Sequence, residues 1–585
     1  MVDVDVLIVG GGAAGLTASI LLRQLGVATL LVSALETTSV LPKAHELNQR
    51  AMEVLHDCGI GEEVVARSTP PAQMSHTAFY LGFAGHPSAG KQLAKMECWG
   101  GGGTDPEWTM ASPYLHANLP QLHLEPIMKR RAEELAPDAV RFGHRLVHLD
   151  QDDDGVTATI EVVATGERYD VRSTYLIAAD GGRTCNDLLG VQMEGLRDLA
   201  QEVSVHFSAD LSALCSDDSV LIRWIFLPHD PSALCVLVPM GPTRWGTTSE
   251  EWVYHANYTY GDPRAFDDAA VLADMAHRLG IEGVELEVHL ISRWTLGGVL
   301  ADRFSQGRVF LVGDAAHRHP PTGGLGLNSA LHDVQNLAWK LAYVLDGTAE
   351  PSLLETYGQE RRPVDARNVD RALENSLQWV STAVELGLGE TDEDVEETWA
   401  RLARACSTDP RHGAERAHVV EVLAQHSMEF HEHSVEYSYE HQSQAVVPDG
   451  TTSAADPDFH RFTPEARPGH PLPHAVLEDH AQHRCSTLDL IDGASLVVLA
   501  GEDGGAWVEA AEALAADGLP IAGYRIGHLS GDYLDPRVRW QYLRGHGPTG
   551  AIVVRPDRCV AWRSHEAVDD HHATLSSVVA QILGR

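Results

Sequence analysis

A glycine-rich turn between an apolar strand and a helix constrains the fold of this chain more than any other feature. Residues 4–9 are an apolar run, GGGAAG follows at residues 10–15, and residues 16–25 have a helical pattern. Glycines at these spacings allow a tight turn, a close approach of the backbone to a pyrophosphate, and close packing of a helix whose N-terminus favours an anion. The pattern therefore predicts a βαβ unit of a parallel sheet that binds a dinucleotide.

The end of the second strand departs from the usual dinucleotide pattern. Residues 26–32 run into Ser33, where an acidic side chain ordinarily accepts hydrogen bonds from a ribose hydroxyl. A serine hydroxyl also accepts such a bond, but it carries no charge, so we expect a weaker contact with the ribose.

A second glycine-rich segment, GRVFLVGDAAHRHPPTGGLGLNSALHDVQNLAWKLA, lies at residues 307–342. Its strand leads to Asp314, whose carboxylate is an acceptor for ribitol or ribose hydroxyls. Gly323, Gly324 and Gly326 expose backbone N–H groups before a helix, and such a nest suits the electron-rich N1–C2=O edge of an isoalloxazine ring. The two segments together identify the expected dinucleotide as FAD.

The charge balance excludes several classes of partner. The chain has 83 Asp+Glu against 43 Lys+Arg, a formal net charge of -40, without a compensating basic run. Because phosphate backbones and anionic lipids repel such a chain, we expect no nucleic-acid partner and no membrane partner, and a small molecule instead. The cysteines have neither C-x-x-C nor zinc spacing, which is typical of a reducing compartment. Since the sequence has no signal-peptide pattern and no long apolar run, we predict a cytoplasmic protein.

The 585 residues are too many for one core, because domains average roughly 150 residues. We predict an α/β fold in which residues 1–190 and 295–435 form one discontinuous, Rossmann-like nucleotide-binding domain with a helical extension. Within the first part of this domain, HELNQRAMEVLHDCGI at residues 45–60 and the segment 121–135 have helical patterns, and RLVHLDQDDDGVTATIEVV at residues 145–163 predicts a hairpin with Asp-Gly at its turn. The strand-rich segment 191–294 is expected to be an inserted antiparallel-sheet domain for the substrate. Prolines, histidines and acidic residues at 436–475 indicate a linker, and residues 476–585 have the pattern of a separate α/β unit.

Three motifs in this order resemble those of the group A FAD-dependent aromatic hydroxylases, which have the p-hydroxybenzoate hydroxylase fold: GGGAAG, YLIAADGGRT and GDAAHRHPPTGGLGLN. The strings KAHELNQRAMEVL and SPYLHANLPQLHLEPIM are most similar to the phenol hydroxylase branch, including the 2,4-dichlorophenol 6-monooxygenases. The C-terminal TGAIVVRPDRCVAW resembles the thioredoxin-like domain of phenol hydroxylases, but without C-x-x-C no redox role is implied. The resemblance covers nearly the whole chain.

The resemblance also implies which residues contact FAD. They are Gly10, Gly12, Ala13, Ala14, Gly15, Ser33, Lys43, Gln121, Asp180, Gly181, Asp314, Pro321, Gly324, Gly326, Leu327 and Asn328. Asp180 and Gly181 belong to a motif that the family shares between FAD and NAD(P)H binding. The arginine that ends this motif in the family is replaced here by Asp187, so the docking of the nicotinamide cofactor stays open.

The reaction implied by the resemblance uses NADPH or NADH to reduce FAD and O2 to form a flavin C4a-hydroperoxide. Its distal oxygen hydroxylates a phenol-like ring, such as a phenol, a chlorophenol, a hydroxypyridine or an intermediate of natural-product biosynthesis. His45 stands where some phenol hydroxylases have an aspartate beside the substrate, and an imidazole there is able to accept the phenolic proton. The alternative is that His45 only packs near the flavin. Pro321 falls where a backbone carbonyl faces the substrate ring.

The strand-rich segment supplies candidates for the substrate pocket. Arg223, Trp224, Tyr254 and Trp294 are the expected walls, although aromatic residues at strand spacing also build cores. Other functions of the same scaffold remain as alternatives: a halogenase, a reductase, or a non-catalytic FAD-binding protein. The W-x-W-x-I-P string of halogenases does not occur in this sequence.

We expect no metal site and a homo-oligomer, either a dimer or a tetramer. His426, His431, His433 and His441 resemble a metal patch only superficially, because 32 histidines are spread through the chain. We therefore predict that these four side chains belong to a solvated surface.

Overall fold

In this computed structural model, the described residues are 2–228, 230, 233–388, 395–431, 433–452 and 462–585. Their α-helices are α1 Ala13–Gln24, α2 Gln49–Asp57, α3 Gly61–Arg67, α4 Pro106–Ala111, α5 Gln121–Leu135, α6 Cys185–Leu189, α7 Asp268–Leu279, α8 Leu325–Leu345, α9 Glu355–Glu385, α10 Val395–Ala405, α11 Gly413–Ala424, α12 Ser427–Phe430, α13 His433–Tyr437, α14 Gly505–Ala516, α15 Arg539–Leu543 and α16 His571–Ile582. Within the part of the chain described, no helix has both the length and the apolar character needed to cross a membrane.

The β-strands are short in the nucleotide-binding half and long in the second sheet. They are β1 Val2–Val9, β2 Thr29–Ser33, β3 Glu46–Leu47, β4 His76–Leu81, β5 Lys91–Glu97, β6 Ala117–Asn118, β7 Val140–Phe142, β8 His144–Gln151, β9 Val156–Val162, β10 Arg168–Ala178, β11 Met193–Ser208, β12 Val220–Phe226, β13 Leu234–Gly241, β14 Glu251–Tyr258, β15 Glu287–Ala301, β16 Ser305–Gln306, β17 Val309–Leu311, β18 His317–Arg318, β19 Val476–Glu478, β20 Arg484–Ser486, β21 Leu496–Ala500, β22 Ile521–Gly527, β23 Tyr533–Leu534, β24 Ala551–Val554 and β25 Val560–Ser564.

The first sheet is the parallel nucleotide-binding sheet that the N-terminal motif predicts. Its strand order is β16-β17-β10-β1-β2-β7, and β17, β10, β1, β2 and β7 are parallel to one another. Helices α1, α5 and α8 pack with it in one apolar core, so residues 6–9 are buried, as expected for a strand covered on both faces. The β8–β9 hairpin, predicted from its Asp-Gly turn, extends β10.

The second sheet has the order β18-β15-β11-β14-β13-β12-β4-β5. Most of its pairs are antiparallel, as predicted, but β12 pairs with β4 in parallel. It therefore takes in strands β4 and β5, which lie outside the predicted range 191–294. One face of this sheet is covered by α7, and the other face points toward the first domain.

Residues 46–47, just before α2, are an extended segment, although the sequence pattern predicts a helix there. The predicted helix begins at His45, but α2 begins four residues later, where the Asn48 side chain accepts the Ala51 N–H at 2.8 Å as an N-cap. Residues 46–47 instead pair with β6. The start of α5 at Gln121 and its end at Leu135 agree with the sequence prediction.

The C-terminal sheet has the order β20-β19-β23-β22-β21-β24-β25. Helices α14 and α16 share an apolar core with β21 and β24. The described part of the predicted linker 436–475 is packed rather than exposed: Tyr437, Tyr439 and Ala445 are buried, and Ala466 lies in the core of the C-terminal domain. Although the segment is polar in composition, several of its apolar side chains are buried against the neighbouring domains.

Candidate active site

The carboxyl edge of the first sheet collects predicted FAD residues from distant parts of the sequence. Strands β1, β2, β10 and β17 run in the same direction and end at this edge. Gly10, Ser33, Asp180 and Asp314 each stand at or just after the end of one of them, and the Gly10 N–H donates to the Val32 carbonyl at 2.8 Å. This edge is where open α/β sheets bind their ligands.

The first glycine turn leaves no space for a side chain at Gly10 or at Gly15. A Cβ on Gly10, whose φ is +122°, would lie 2.1 Å from the carbonyl oxygen of Ala179. A Cβ on Gly15 would lie 1.9 Å from the Gly10 carbonyl oxygen. Gly12 occupies the cap position of α1, and an apolar first turn beginning with Ala13 and Ala14 follows it. The N–H groups of this helix end are therefore available to a pyrophosphate, as the sequence predicts.

Two of the three further predicted contacts, Ser33 and Gln121, lie at this turn, while for Lys43 the structure shows an exposed side chain. Ser33 is buried against Gly11, since a Cβ on that glycine would lie 2.8 Å from the Ser33 Cβ. Lys43 is exposed before the extended segment. The Gln121 amide donates to Glu125 Oε1 at 2.5 Å, and Glu125 Oε2 accepts the Ser39 N–H at 2.7 Å. The sequence motifs do not point to Glu125, which orients Gln121 beside the glycine turn.

The loop after β10 is tied down by its own aspartate. The Asp180 carboxylate accepts the N–H groups of Gly182, Thr184 and Cys185 at 2.8–3.0 Å. The Arg318 guanidinium donates to the Gly181 carbonyl at 2.8 Å. This contact brings an arginine to the loop in which Asp187 replaces the family's usual arginine.

The second glycine turn starts helix α8. Gly324, with φ +67°, is the cap residue, Gly326 lies in the first turn, and the exposed Pro321 precedes both. Gly326 is followed by the buried Leu327 and Asn328. Such a helix end suits the negative N1–C2=O edge of a flavin. Both helix termini thus fit FAD, one at its pyrophosphate and one at its ring.

Asn328 connects α8 to the segment that carries His45. Its Nδ2 donates to Glu46 Oε2 at 3.0 Å and to the Gly324 carbonyl at 2.7 Å, and its Oδ1 accepts the Asn48 N–H at 3.1 Å. This double contact fixes the position of residues 45–48 relative to the second glycine turn.

His45 has one ring nitrogen engaged and one free to act. Its Nδ1 lies 2.5 Å from Asn118 Oδ1, while Asn118 Nδ2 donates to Thr69 Oγ1 at 2.7 Å. Because the amide donates to Thr69, its oxygen accepts from His45, which assigns the proton to Nδ1 and a lone pair to Nε2. Burial lowers the pKa of His45, so the ring is neutral near pH 7.

Polar side chains of the second sheet lie near His45. Glu202, Ser204 and His255 share one face of β11 and β14, and Ser204 Oγ lies 2.8 Å from His255 Nδ1. Burial raises the pKa of Glu202 to about 8. Burial, with a further contribution from the neighbouring His45 imidazole, lowers the pKa of His255 to about 3. The family motifs do not include these residues. The alternation of polar and apolar residues at 202–206 nevertheless indicates a polar strand face.

The predicted pocket walls divide between the two faces of the second sheet. Trp294 pairs with Glu202 across β15 and β11 and shares its face, as does Trp224. Trp224 is mostly buried and stacks on Trp379 with ring centroids 3.9 Å apart.

Arg223 and Tyr254 point away from this face, so their expected role as pocket walls needs correction. Tyr254 is fully buried in the core under α7. The Arg223 guanidinium donates to the carbonyls of Val220 and Asp217 at 3.0 Å. The alternation of side chains along a strand sends neighbouring residues to opposite faces, and the sequence did not show which face meets the first domain.

A buried histidine lies between two carboxylates behind the His45 segment. His116 Nε2 is 3.2 Å from Glu46 Oε1 and 3.1 Å from Glu436 Oε1. Although burial opposes it, these carboxylates raise the pKa of His116 to about 9. A small cavity bordered by Trp99, Trp108, Gly323 and Leu325 adjoins the three groups.

The histidines near residues 426–441 are not the solvated surface that the sequence predicts. His426, His433 and His441 are buried, while His431 is partly exposed. His426 stacks on Trp379 with ring centroids 3.8 Å apart, and His433 stacks on Trp108 at 4.2 Å. Packing against aromatic rings therefore explains their positions.

Comparison with known proteins covers the full chain. Residues 3–372 match the family model described as FAD binding domain, and residues 465–585 match that of the C-terminal domain of aromatic-ring hydroxylases. The chain is 34% identical over 602 residues to 2,4-dichlorophenol 6-monooxygenase of Delftia acidovorans, covering 100% of this chain and 98% of the relative.

Solved structures agree over the same length. The flavin-dependent monooxygenase PieE, in complex with FAD and substrate, superimposes with a TM-score of 0.91 and 37% identity, covering 100% of this chain and 99% of that chain. Aklavinone-11 hydroxylase with FAD and aklavinone gives a TM-score of 0.78 and 31% identity with the same coverage of both chains.

Proposed function

This chain belongs to the FAD-dependent aromatic-ring hydroxylases, and from this premise we propose that it hydroxylates a phenol-like ring whose hydroxyl proton is accepted by His45. The enzyme is a monooxygenase that uses FAD, O2 and NADPH or NADH. One oxygen atom enters the ring, the other leaves as water, and the nicotinamide supplies two electrons. The comparisons give no support to a halogenase, a reductase or a non-catalytic protein.

The chain's own residues divide the binding of FAD between two helix termini. The N–H groups of α1, framed by Gly10 and Gly15, are proposed to hold the pyrophosphate, and the N-terminus of α8 is proposed to face the flavin ring. When bound, the cofactor supplies an electrophilic oxygen from O2.

The observation that supports the proposed proton transfer is the hydrogen bond between His45 and Asn118, because it leaves His45 Nε2 as the proton acceptor. Removing the phenolic proton makes the ring electron-rich and therefore a better nucleophile toward the oxygen. Asn118 and Thr69 hold His45 in the tautomer whose Nε2 has a lone pair. The imidazole is neutral at pH 7 because burial lowers its pKa. His45 is thus prepared to accept a proton before the substrate arrives.

The polar face of the second sheet near His45 favours a neutral or anionic phenol over a cation. Glu202, with its pKa raised to about 8 by burial, is protonated near pH 7 and presents an O–H rather than a negative charge. Trp294 shares its face and offers an aromatic surface. The relative from Delftia is named for a chlorophenol and one structural neighbour binds aklavinone, so we propose a phenolic ring as the shared substrate feature.

Substitution of His45 tests this proposal. In the FAD-loaded enzyme, His45→Ala is expected to lower the hydroxylation kcat about 100- to 10,000-fold, the usual contribution of a general base. FAD affinity should change much less. Product is measured by mass spectrometry as the gain of one oxygen during NAD(P)H oxidation, and His480→Ala, an exposed position in the C-terminal domain, is the matched control.

The pH profile gives an independent reading. A protonated imidazole accepts no proton, so the wild-type rate should fall as the pH drops through the pKa of His45, below its usual value of 6.5. This acidic limb should be absent in His45→Ala. An unchanged rate and an unchanged limb would remove His45 from the mechanism, whereas a wild-type chain that cannot be loaded with FAD would contradict the whole assignment.

A further inference from the structure

Three neighbouring strands bring two histidines and a glutamate together at one end of the second sheet. His206 lies on β11, Glu251 on β14 and His289 on β15, with β11 between the other two strands. His206 Nε2 is 2.8 Å from Glu251 Oε2, and the His206 and His289 ring centroids are 4.9 Å apart. One ligand atom from each residue lies within 4.8 Å of the others.

A β-bulge aims the third side chain at the cluster. His206 pairs with Leu290 and Phe207 pairs with Val288, so His289 is the extra residue between two rungs of the ladder. A bulge of this kind re-aims a side chain that a regular strand would direct elsewhere. Ser208 Oγ holds the Nε2 of the His289 ring at 2.7 Å, which leaves Nδ1 for another partner.

A third histidine borders this cluster from the nucleotide-binding domain. His123 lies on α5, two residues after Gln121. Its Nε2 is buried and has no hydrogen-bond partner among the described residues. The charges of Glu251, His206 and Arg67 act on its ring, but His123 is not among the three residues whose ligand atoms lie within 4.8 Å of one another.

The other histidine and carboxylate cluster shows what a closed site looks like. His317, Asp333 and Asp365 are also close together, but they are fully buried and the Arg361 guanidinium donates to both aspartates at 2.9 Å. The positive charge of Arg361 therefore takes the position that a metal ion would need between these carboxylates. In the sheet cluster, by contrast, Glu251 faces imidazoles, and the site reaches the surface at His289.

We propose that His206, Glu251 and His289 bind one divalent zinc-class ion. Two imidazoles with one carboxylate form a known ligand set for such ions, with the fourth position left to water. Ligand atoms on one zinc ion are at most about 4.2 Å apart, twice the zinc–nitrogen distance, so a small adjustment of the side chains closes the site. The bound ion joins β11, β14 and β15 at this end of the second sheet.

Metal retention by the FAD-loaded, full-length enzyme tests the site. After incubation with ZnCl2 and dialysis into metal-free buffer, wild type should retain one zinc per chain by elemental analysis. His206→Ala and Glu251→Gln should retain less than a tenth of that amount, and His277→Ala, an exposed histidine of α7, should retain as much as wild type. Zinc should raise the Tm of wild type and of His277→Ala only.

Each outcome of this experiment either supports or overturns the proposed zinc site. Absorbance of bound flavin shows that the variants are folded, so a loss of zinc in folded His206→Ala supports the site. Equal retention in wild type and His206→Ala, or none in wild type, overturns it. Full zinc retention and an unchanged zinc-dependent rise in Tm for folded His289→Ala would overturn the third ligand.

Discussion

At the scale of single residues, Gly15 in the turn after β1 permits no larger side chain. A Cβ at Gly15 would overlap the carbonyl oxygen of Gly10 at 1.9 Å, and that oxygen belongs to backbone that α1 and β1 hold in place. The contact cannot be relieved by rotating a flexible side chain. The geometry of the turn and the proposed approach of a pyrophosphate thus depend on the same residue.

We therefore expect Gly15→Ala to abolish stable FAD binding. The added methyl group must push the start of α1 away from β1, which moves the helix N–H groups off the proposed pyrophosphate site. Flavin content of the purified protein, from its visible absorbance and after reconstitution, measures the effect. Gly283→Ala, where a Cβ would meet no atom within 4 Å among the described residues, is the control. Equal flavin content in both variants would contradict the prediction.

At the scale of secondary-structure elements, two helices hold the turn that precedes Asp314. The Asp333 carboxylate of α8 accepts the Gly313 N–H at 3.0 Å and lies 2.7 Å from His317 Nε2. Arg361 of α9 donates to the same carboxylate at 2.9 Å. The position of Asp314, a proposed ribitol contact, is thus set by a charged pair that FAD itself is not expected to touch.

We expect Arg361→Met to destabilise the protein by about 3–5 kcal/mol, because it removes one of two cations beside the buried carboxylates of Asp333 and Asp365 and leaves them with His317, whose pKa, despite burial, they raise to about 9. FAD affinity should fall as well, since the Gly313 turn loses its support. Thermal unfolding and FAD titration measure the two effects. Arg371→Ala removes a more exposed partner of Glu374 on the same helix and should cost about 0.5 kcal/mol. Similar losses in both variants would show that the buried network does not support the turn.

At the scale of the whole molecule, the C-terminal domain is docked on the FAD-binding domain through buried charges. The Arg555 guanidinium donates to both carboxylate oxygens of Glu360 on α9, at 2.6 and 2.8 Å, and Lys340 donates to the same group at 2.7 Å. A second pair joins Arg558 to Asp57 of α2 at 2.6 Å. Because the domain has no C-x-x-C motif, no redox role is implied for it. Its docking through buried charges indicates a structural role instead.

Arg555→Met should weaken that interface by about 3–5 kcal/mol, because Glu360 and Asp557 then lose a buried cation. Faster limited proteolysis of residues 465–585 and a lower Tm are expected. Arg484→Met, which breaks an exposed pair with Glu478 in the same domain, should leave both unchanged. An identical proteolysis pattern in the two variants would argue against docking through Arg555. The homo-oligomer stays a prediction.

Much of the fold was readable from local patterns. The glycine turns, the limits of α5 and the β8–β9 hairpin all depend on residues close together in the chain, so periodicity and turn residues suffice to predict them. The KAHELNQRAMEVL string predicts that His45 lies beside the substrate. Its hydrogen-bond partner Asn118 is 73 residues away in the chain, and no motif indicates this pairing.

The sequence by itself determined the family, the cofactor and the strand ends proposed to meet it, because those features depend on spacings along the chain. The tertiary structure decided which face of each strand meets the first domain. That choice removed Arg223 and Tyr254 from the pocket, and brought Glu202 beside Trp294. It also gathered the proposed zinc ligands from three separate strands. The reason is physical: a strand's side chains alternate between two faces, and only the register with a distant partner selects the face.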